Sequence, residues 1–264
     1  MARPAWQGWL LASGMLTWSC SRDTGPGAAG SLVSPTPTHS PARVLVVTHT
    51  EGFRHSSIPV AEATIGALGQ DSGLFTAMFC RTADDVAAML TRSALADIDA
   101  IVFANTTGSL PVQDLAAVLD WIALGHGFAG MHSASDTYHD APNYLDMLGN
   151  EFLTHGDQTT VEAIVENPSH PASAPLGQRF RVFDEIYKFR RPNRGSVTML
   201  LSLDRQPSDG LPEAGQPGDL PLAWAKTHGQ GRVFYTALGH REDVWQNRLY
   251  RQHILGGIRW VLGL

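Results

Sequence analysis

Cysteine is almost missing from this 264-residue chain: Cys20 and Cys80 are its two thiols. Two cysteines cannot form a disulfide framework, so the fold must come from core burial. Charge is also sparse, at 17% of residues, with a net charge of −6. No block of Lys and Arg occurs, which excludes the electrostatic footprint of a nucleic-acid partner. Beyond Trp18, no apolar run is long enough to span a bilayer as a helix. What the chain does have is 43% hydrophobic residues, 26 glycines and 11 histidines. Such a composition is globular, and it uses imidazole where other chains use Lys or Arg.

The N-terminus has the layout of an export signal. Arg3 supplies a positive start, and Trp9–Trp18 is a short apolar stretch. Ser19-Cys20 follows, and a small residue before a cysteine resembles a lipoprotein processing site. Thr17 and Trp18 stand where Leu and a small residue are usual. The expectation is a signal over residues 1–20 with Cys20 lipidated, and simple cleavage is the alternative. Residues 21–42 are rich in Pro, Gly, Ser and Thr. They cannot bury a core and are expected to be a flexible linker. Residues 43–264 form the expected folded domain.

Strand and helix patterns alternate from Arg43 onward. Strands are expected at 43–48, 75–80, 99–104 and 128–131. Helices are expected at 57–68, 83–90 and 112–123, with Ser56 or Ser57 capping the first and Thr82 the second. Such alternation argues for a parallel sheet wound by right-handed crossovers. The middle changes character, with strands expected at 159–166, 180–190, 197–203 and 220–227. A Pro/Gly-rich loop, Asp204–Asp219, separates the last two. Another strand is expected to begin at Gly231, and an amphipathic helix at 248–262 closes the chain.

Apolar runs end repeatedly in polar turns. Val44–Val47 leads into Thr48-His49-Thr50, and Ala100–Ala104 into Asn105-Thr106-Thr107-Gly108. Phe128–Met131 leads into His132-Ser133-Ala134-Ser135-Asp136, and Val233–Leu238 into Gly239-His240. In open parallel sheets, ligands bind beyond the carboxyl ends of the strands, where the strand order reverses. Gly130-Met131-His132-Ser133-Ala134 has the small residues of a nucleophile elbow around a central side chain. Class I glutamine amidotransferases place a cysteine there. Imidazole cannot form their glutamyl thioester, so that chemistry is excluded. His132 is left as a general base, a hydrogen-bond donor, a metal ligand or a structural histidine.

Seven stretches then resemble the ThuA-like (trehalose utilisation) domain family. They are Thr50–Pro59, Phe103–Gly108, Gly127–Thr137, Asn167–Pro171, Asp184–Phe189, Gly231–His240 and Arg251–Trp260. The resemblance covers 43–263 and implies an α/β fold. That fold is a flavodoxin-like, class I glutamine amidotransferase-like, mainly parallel sheet flanked by helices, with an antiparallel β extension from Thr159 to Thr227. It also implies a link to trehalose and related glucosides, through 3-keto sugars.

The resulting expectation is an exported carbohydrate-active hydrolase or lyase. His132 is its acid/base, and His240 and Glu185 set the tautomer and charge of that imidazole. His49, Arg54, His55, Asn105, Thr106, Ser133, Asp136, His155 and Tyr187 are expected to bind the sugar. Trp224, Tyr187 and Tyr235 are candidates for stacking on it. His49, His132 and His240 should share one pocket, with Arg54, Asn105 and Glu185 at its wall. His139 has no context that marks it. The chemistry requires no cofactor, although zinc at His132 and His240 is an alternative. The partner is a small carbohydrate, without nucleic acid, and the membrane is met only through a lipid anchor. The alternative function is a non-catalytic sugar-binding module with the same pocket. Cys20→Ser should move the protein from the membrane fraction to the soluble fraction; unchanged fractionation would refute lipidation.

Overall fold

Strand β1, Ala42–Val47, opens a nine-stranded sheet, and its last four residues are buried. The structure is a computed structural model and describes residues 40–191, 194–203 and 220–264. The expected signal, Cys20, the linker up to residue 39 and the loop Asp204–Asp219 lie outside the described residues.

Helix α1 (Ile58–Ser72) leads to strand β2 (Phe75–Cys80). Gly73 ends α1 in the left-handed conformation, φ 66°, which glycine adopts without a Cβ penalty. Helix α2 (Ala83–Met89) begins with a capping box between Thr82 and Asp85, so Thr82 caps it as expected. Strand β3 (Ala100–Ala104), helix α3 (Leu115–Ala123) and strand β4 (Gly127–Met131) follow. Both strands are buried throughout, as parallel strands covered on two faces must be. The expected helix start at Val112 is corrected to Leu115, because the Asp114 side chain accepts the Ala117 N–H there.

Short elements come next: helix α4 (Pro142–Leu148) and strand β5 (Phe152–His155). Strands β6 (Thr159–Val165) and β7 (Arg179–Asp184) alternate outward and inward. Strand β8 (Tyr187–Phe189) pairs with β5 in a separate two-stranded sheet. The single strand expected over 180–190 is therefore two strands broken at Glu185-Ile186. Strands β9 (Thr198–Leu203), β10 (Leu220–His228) and β11 (Gly231–Thr236) return to the large sheet. Helices α5 (Glu242–Gln246) and α6 (Arg248–Val261) close the chain. The Asn247 side chain caps α6 by accepting from Leu249 and Tyr250 N–H.

The strand order is β2-β1-β3-β4-β11-β10-β9-β6-β7. Pairing is parallel from β2 to β11 and antiparallel from β11 to β7. The order reverses between β1 and β3, which is where such sheets bind ligands. Counting directions outward from β11, the carboxyl end of β7 faces the same edge as those of β1, β3, β4 and β11. The antiparallel half thus delivers the residues after Asp184 to the parallel half's ligand edge.

Gly256 lets helix α6 lie close against the Pro171-Ala172 loop backbone. A Cβ there would lie inside contact distance of the Pro171 carbonyl. In an open helix, Gly→Ala stabilises by up to about 1 kcal/mol. Gly256→Ala should instead destabilise by about 1–3 kcal/mol, because the displaced atoms are backbone. Urea unfolding reads the sign directly.

Candidate active site

His132 ends β4 with φ 50°, a left-handed backbone that side chains rarely adopt. This is the sharp elbow expected from the sequence, and Gly130 permits it. A Cβ at Gly130 would come within 2.9 Å of Leu148 Cδ1 and 3.1 Å of Ala134 Cβ. The elbow is held from behind. Tyr235 Oη donates to the His132 carbonyl at 2.7 Å and lies 2.8 Å from Ser135 Oγ.

The imidazole of His132 is fully buried. Its Nδ1 lies 2.8 Å from the Ala237 carbonyl, which can only accept, so Nδ1 carries the proton. Nε2 is left as a lone pair. Around it stand Tyr187 Oη at 2.9 Å, His55 Nε2 at 3.1 Å and His240 Nδ1 at 3.3 Å. Glu185 Oε1 lies 3.6 Å away. Burial first, then the His55 imidazole, holds the His132 pKa well below the ordinary value. Burial likewise lowers His55 to about 4, with His240 adding repulsion. His240 shifts the other way: its hydrogen bond to Glu185 Oε1, at 3.3 Å, raises its pKa. The second Glu185 oxygen lies 3.2 Å from His155 Nδ1. His55, His132, Glu185 and His240 each bring one ligand atom within 4.8 Å of the others.

The position of His240 depends on the two peptides that flank Gly239. Gly239, with φ 120°, donates its N–H to Asp184 Oδ2 at 2.7 Å. Its carbonyl accepts from Asn105 Nδ2 at 2.9 Å and Trp245 Nε1 at 2.8 Å. Asp184 is itself buried, and desolvation raises its pKa to about 6.

Several expected roles change. His49 does not join the cluster: its Nε2 is 2.7 Å from Glu51 Oε1, and the histidine that meets His132 is His55. The loop after β1 continues through a turn, which carries His55 inward. Asn105 and Thr106 are fully buried and engaged internally, Asn105 with Gly239 and Ser57, Thr106 with Thr137 Oγ1 at 2.8 Å. They frame the site from below, and Asn105 Oδ1 is left without a hydrogen-bond partner. Ser57 starts α1 without a side-chain cap, and its hydroxyl joins the same Gly239 network. Ser133 Oγ stands 3.5 Å from His55 Nδ1. Arg54 is exposed and donates to the Thr48 carbonyl at 3.2 Å. Trp224, Tyr187 and Tyr235 are buried, so none offers a face for sugar stacking. Phe53 does: its ring is 66% exposed and meets His55 edge-on at 4.8 Å. It sits inside the Thr50–Pro59 stretch, but nothing in the sequence marks its exposure.

His139, to which the sequence context assigns no role, has two carboxylate partners. Its ring bridges Asp136 Oδ1 at 2.7 Å and Glu151 Oε1 at 2.8 Å. Partial burial opposes the charge, yet these two carboxylates raise its pKa. The Asp136–His139 spacing was the available signal. His253 is buried, with Nδ1 2.8 Å from the Ala172 carbonyl, a packing position on α6.

The buried histidine at the elbow, on a parallel sheet flanked by helices, defines a class I glutamine amidotransferase-like fold whose elbow carries imidazole in place of thiol. The ThuA family, described as trehalose utilisation, matches residues 43–261, and the chain belongs to that family. Solved structures share the fold. A ThuA-like protein of Parabacteroides merdae aligns with TM-score 0.68 and 18% identity, covering 84% of this chain and 90% of that one. Another from Bacteroides uniformis gives TM-score 0.68 and 20% identity, covering 88% and 95%. PurLQS from Thermotoga maritima gives TM-score 0.52 and 12% identity, covering 83% and 99%. A comparison with curated proteins finds no match.

The electrostatics of the cluster can be tested directly. Glu185→Gln removes the carboxylate that raises His240, so the His240 pKa, followed by NMR, should fall. A raised folded-state pKa stabilises below the unfolded value and loses that contribution as pH rises through it. The substitution should therefore cost more stability near pH 5.5 than near pH 8.5, with the unfolded reference at about 6.5.

Proposed function

We propose that this chain is a carbohydrate-active enzyme that hydrolyses or eliminates a trehalose-related glucoside or 3-keto-glucoside. The observation carrying this is the proton arrangement around His132 Nε2. A neutral imidazole presents a bare lone pair, beside a His240–Glu185 pair that stores a proton. The family's link to trehalose utilisation supplies the substrate class.

In this reading the roles differ from those expected of the sequence. His132, with its depressed pKa, is a weak base and serves better as a fixed acceptor for a sugar hydroxyl. Proton transfer falls to Glu185 and His240. A 3-keto group acidifies the neighbouring C–H. The Glu185 carboxylate removes that proton, the C–H electron pair forms the new double bond, and the glycosidic C–O bond breaks. Protonated His240 gives its proton to the leaving oxygen, and transfer from Glu185 to His240 restores the pair. This route suits a cluster with one carboxylate among the described residues. Asp184 is committed to Gly239, so the paired carboxylates of ordinary glycosidases are missing from it. Arg54 and the exposed ring of Phe53 supply a donor and a stacking face beside His55. Export and lipid anchoring at Cys20 remain part of the proposal.

A panel of trehalose, other disaccharides and their 3-keto forms tests the reading. Turnover of a keto sugar should fall by about 10²-fold or more in Glu185→Gln, as for loss of a general base. Sugar binding without turnover across the panel would instead make the chain a binding module.

A further inference from the structure

We propose that His55 Nε2, His132 Nε2, His240 Nδ1 and Glu185 Oε1 form a binding site for a divalent transition-metal ion of the zinc type. The inference rests on reading this cluster as the reactive centre; with an ion bound, Glu185 and His240 are its ligands, so the ion takes the place of their proton-transfer roles in the reaction above.

The argument begins with lone pairs. His132 Nδ1 is committed to the Ala237 carbonyl, so Nε2 has no proton to give. Glu185 Oε1, a carboxylate oxygen, is an acceptor too. These two lone pairs face each other at 3.6 Å. The proton donors beside them are Tyr187 Oη and His240 Nδ1, 2.9 and 3.3 Å from Nε2. A cation bound between the two acceptors removes their repulsion as well, whereas a protonated His132 is opposed by burial and by the imidazoles of His55, His240 and His155. The crowding points the same way. One lone pair accepts one well-aligned hydrogen bond, yet Nε2 has four polar neighbours at 2.9–3.6 Å.

Four of the six ligand–ligand spacings fit a metal, and the two from His55 to His240 and to Glu185 lie within 4.8 Å. Zinc bonds of about 2.0–2.1 Å in a tetrahedron put neighbouring ligand atoms about 3.3 Å apart. The distances from His132 Nε2 to His55, His240 and Glu185 are 3.1, 3.3 and 3.6 Å. His240 Nδ1 to Glu185 Oε1 is 3.3 Å. Three imidazoles and one carboxylate favour zinc and its transition-metal neighbours over magnesium or calcium, which prefer oxygen.

The supporting shell is present too. A ligating histidine normally has its other nitrogen held, which fixes tautomer and ring orientation. His132 Nδ1 is held by the Ala237 carbonyl, and His55 Nδ1 stands by Ser133 Oγ. The free oxygen of Glu185 is held by His155. The ion would replace the proton shared by His240 and Glu185, so binding should release protons and weaken in acid.

The test uses the purified full chain, stripped with a chelator and dialysed against zinc. Elemental analysis should find one zinc per chain, and competition with a chromophoric chelator gives its affinity. Glu185→Gln and His240→Gln should each weaken zinc about tenfold or more, whereas His139→Gln, outside the cluster, should not. Cobalt(II) in place of zinc should give a tetrahedral visible spectrum that Glu185→Gln alters. Circular dichroism and melting confirm that each variant is folded. Folded wild-type protein without stoichiometric zinc, or variants that bind as the wild type does, would overturn the site. Stoichiometric zinc without turnover of any sugar would uphold the site and sink the proposed reaction. Turnover of a keto sugar by protein that takes up no zinc would do the reverse.

Discussion

The hydrogen bond from His132 Nδ1 to the Ala237 carbonyl organises the site. It joins the ends of two adjacent parallel strands, β4 and β11. It also decides which nitrogen carries the proton, and so what Nε2 can do. A left-handed backbone at a histidine costs of order 1–3 kcal/mol. The Tyr235 hydroxyl bond to the His132 carbonyl, and the buried packing beneath the elbow, offset that cost. If the elbow relaxed, the lone pair would turn away from His55, His240 and Glu185 together.

The change of strand direction after β11 has a functional consequence. A wholly parallel sheet would gather strand ends at one edge, but its residues would all follow helical crossovers. Here four antiparallel strands carry the chain outward and return the end of β7 to the ligand edge. Glu185 arrives with one oxygen toward His132 and His240 and the other toward His155. Asp184, one residue earlier, grips the Gly239 peptide. Successive carboxylates on one strand end thus do different work: Asp184 fixes the His240 turn, and Glu185 sets that histidine's charge.

The burial of the framework explains why so much polar surface is tolerated here. Asn105, Thr106, Ser133, Ser135 and Thr137 are all buried, and each has a side-chain hydrogen-bond partner. Buried polar groups cost little when satisfied and much when not, and in this set Asn105 Oδ1 is the atom left without a partner. The result is a rigid polar floor beneath the imidazoles, with Phe53 and Arg54 exposed on the loop that carries His55.

The sequence by itself determined the sheet order's general character. Continuous apolar runs such as Ala100–Ala104 have to be buried on both faces, and glycine and capping residues punctuate the helices between them. It also determined the elbow, because small residues around His132 leave room for a sharp turn. The Asp184–Phe189 and Gly231–His240 stretches located the partners. Only the tertiary structure decided which histidine meets His132. His49 and His55 lie six positions apart on one loop, and nothing local distinguishes them; the turn between them and the Ser133 contact select His55. Only the tertiary structure, too, separated Asn105 and Thr106, turned inward to hold Gly239 and Thr137, from side chains that reach a ligand. It also broke the apparent strand 180–190 at Glu185. Periodicity reports burial along one element, whereas a site is a convergence of several elements, and that convergence depends on distances that no single stretch encodes.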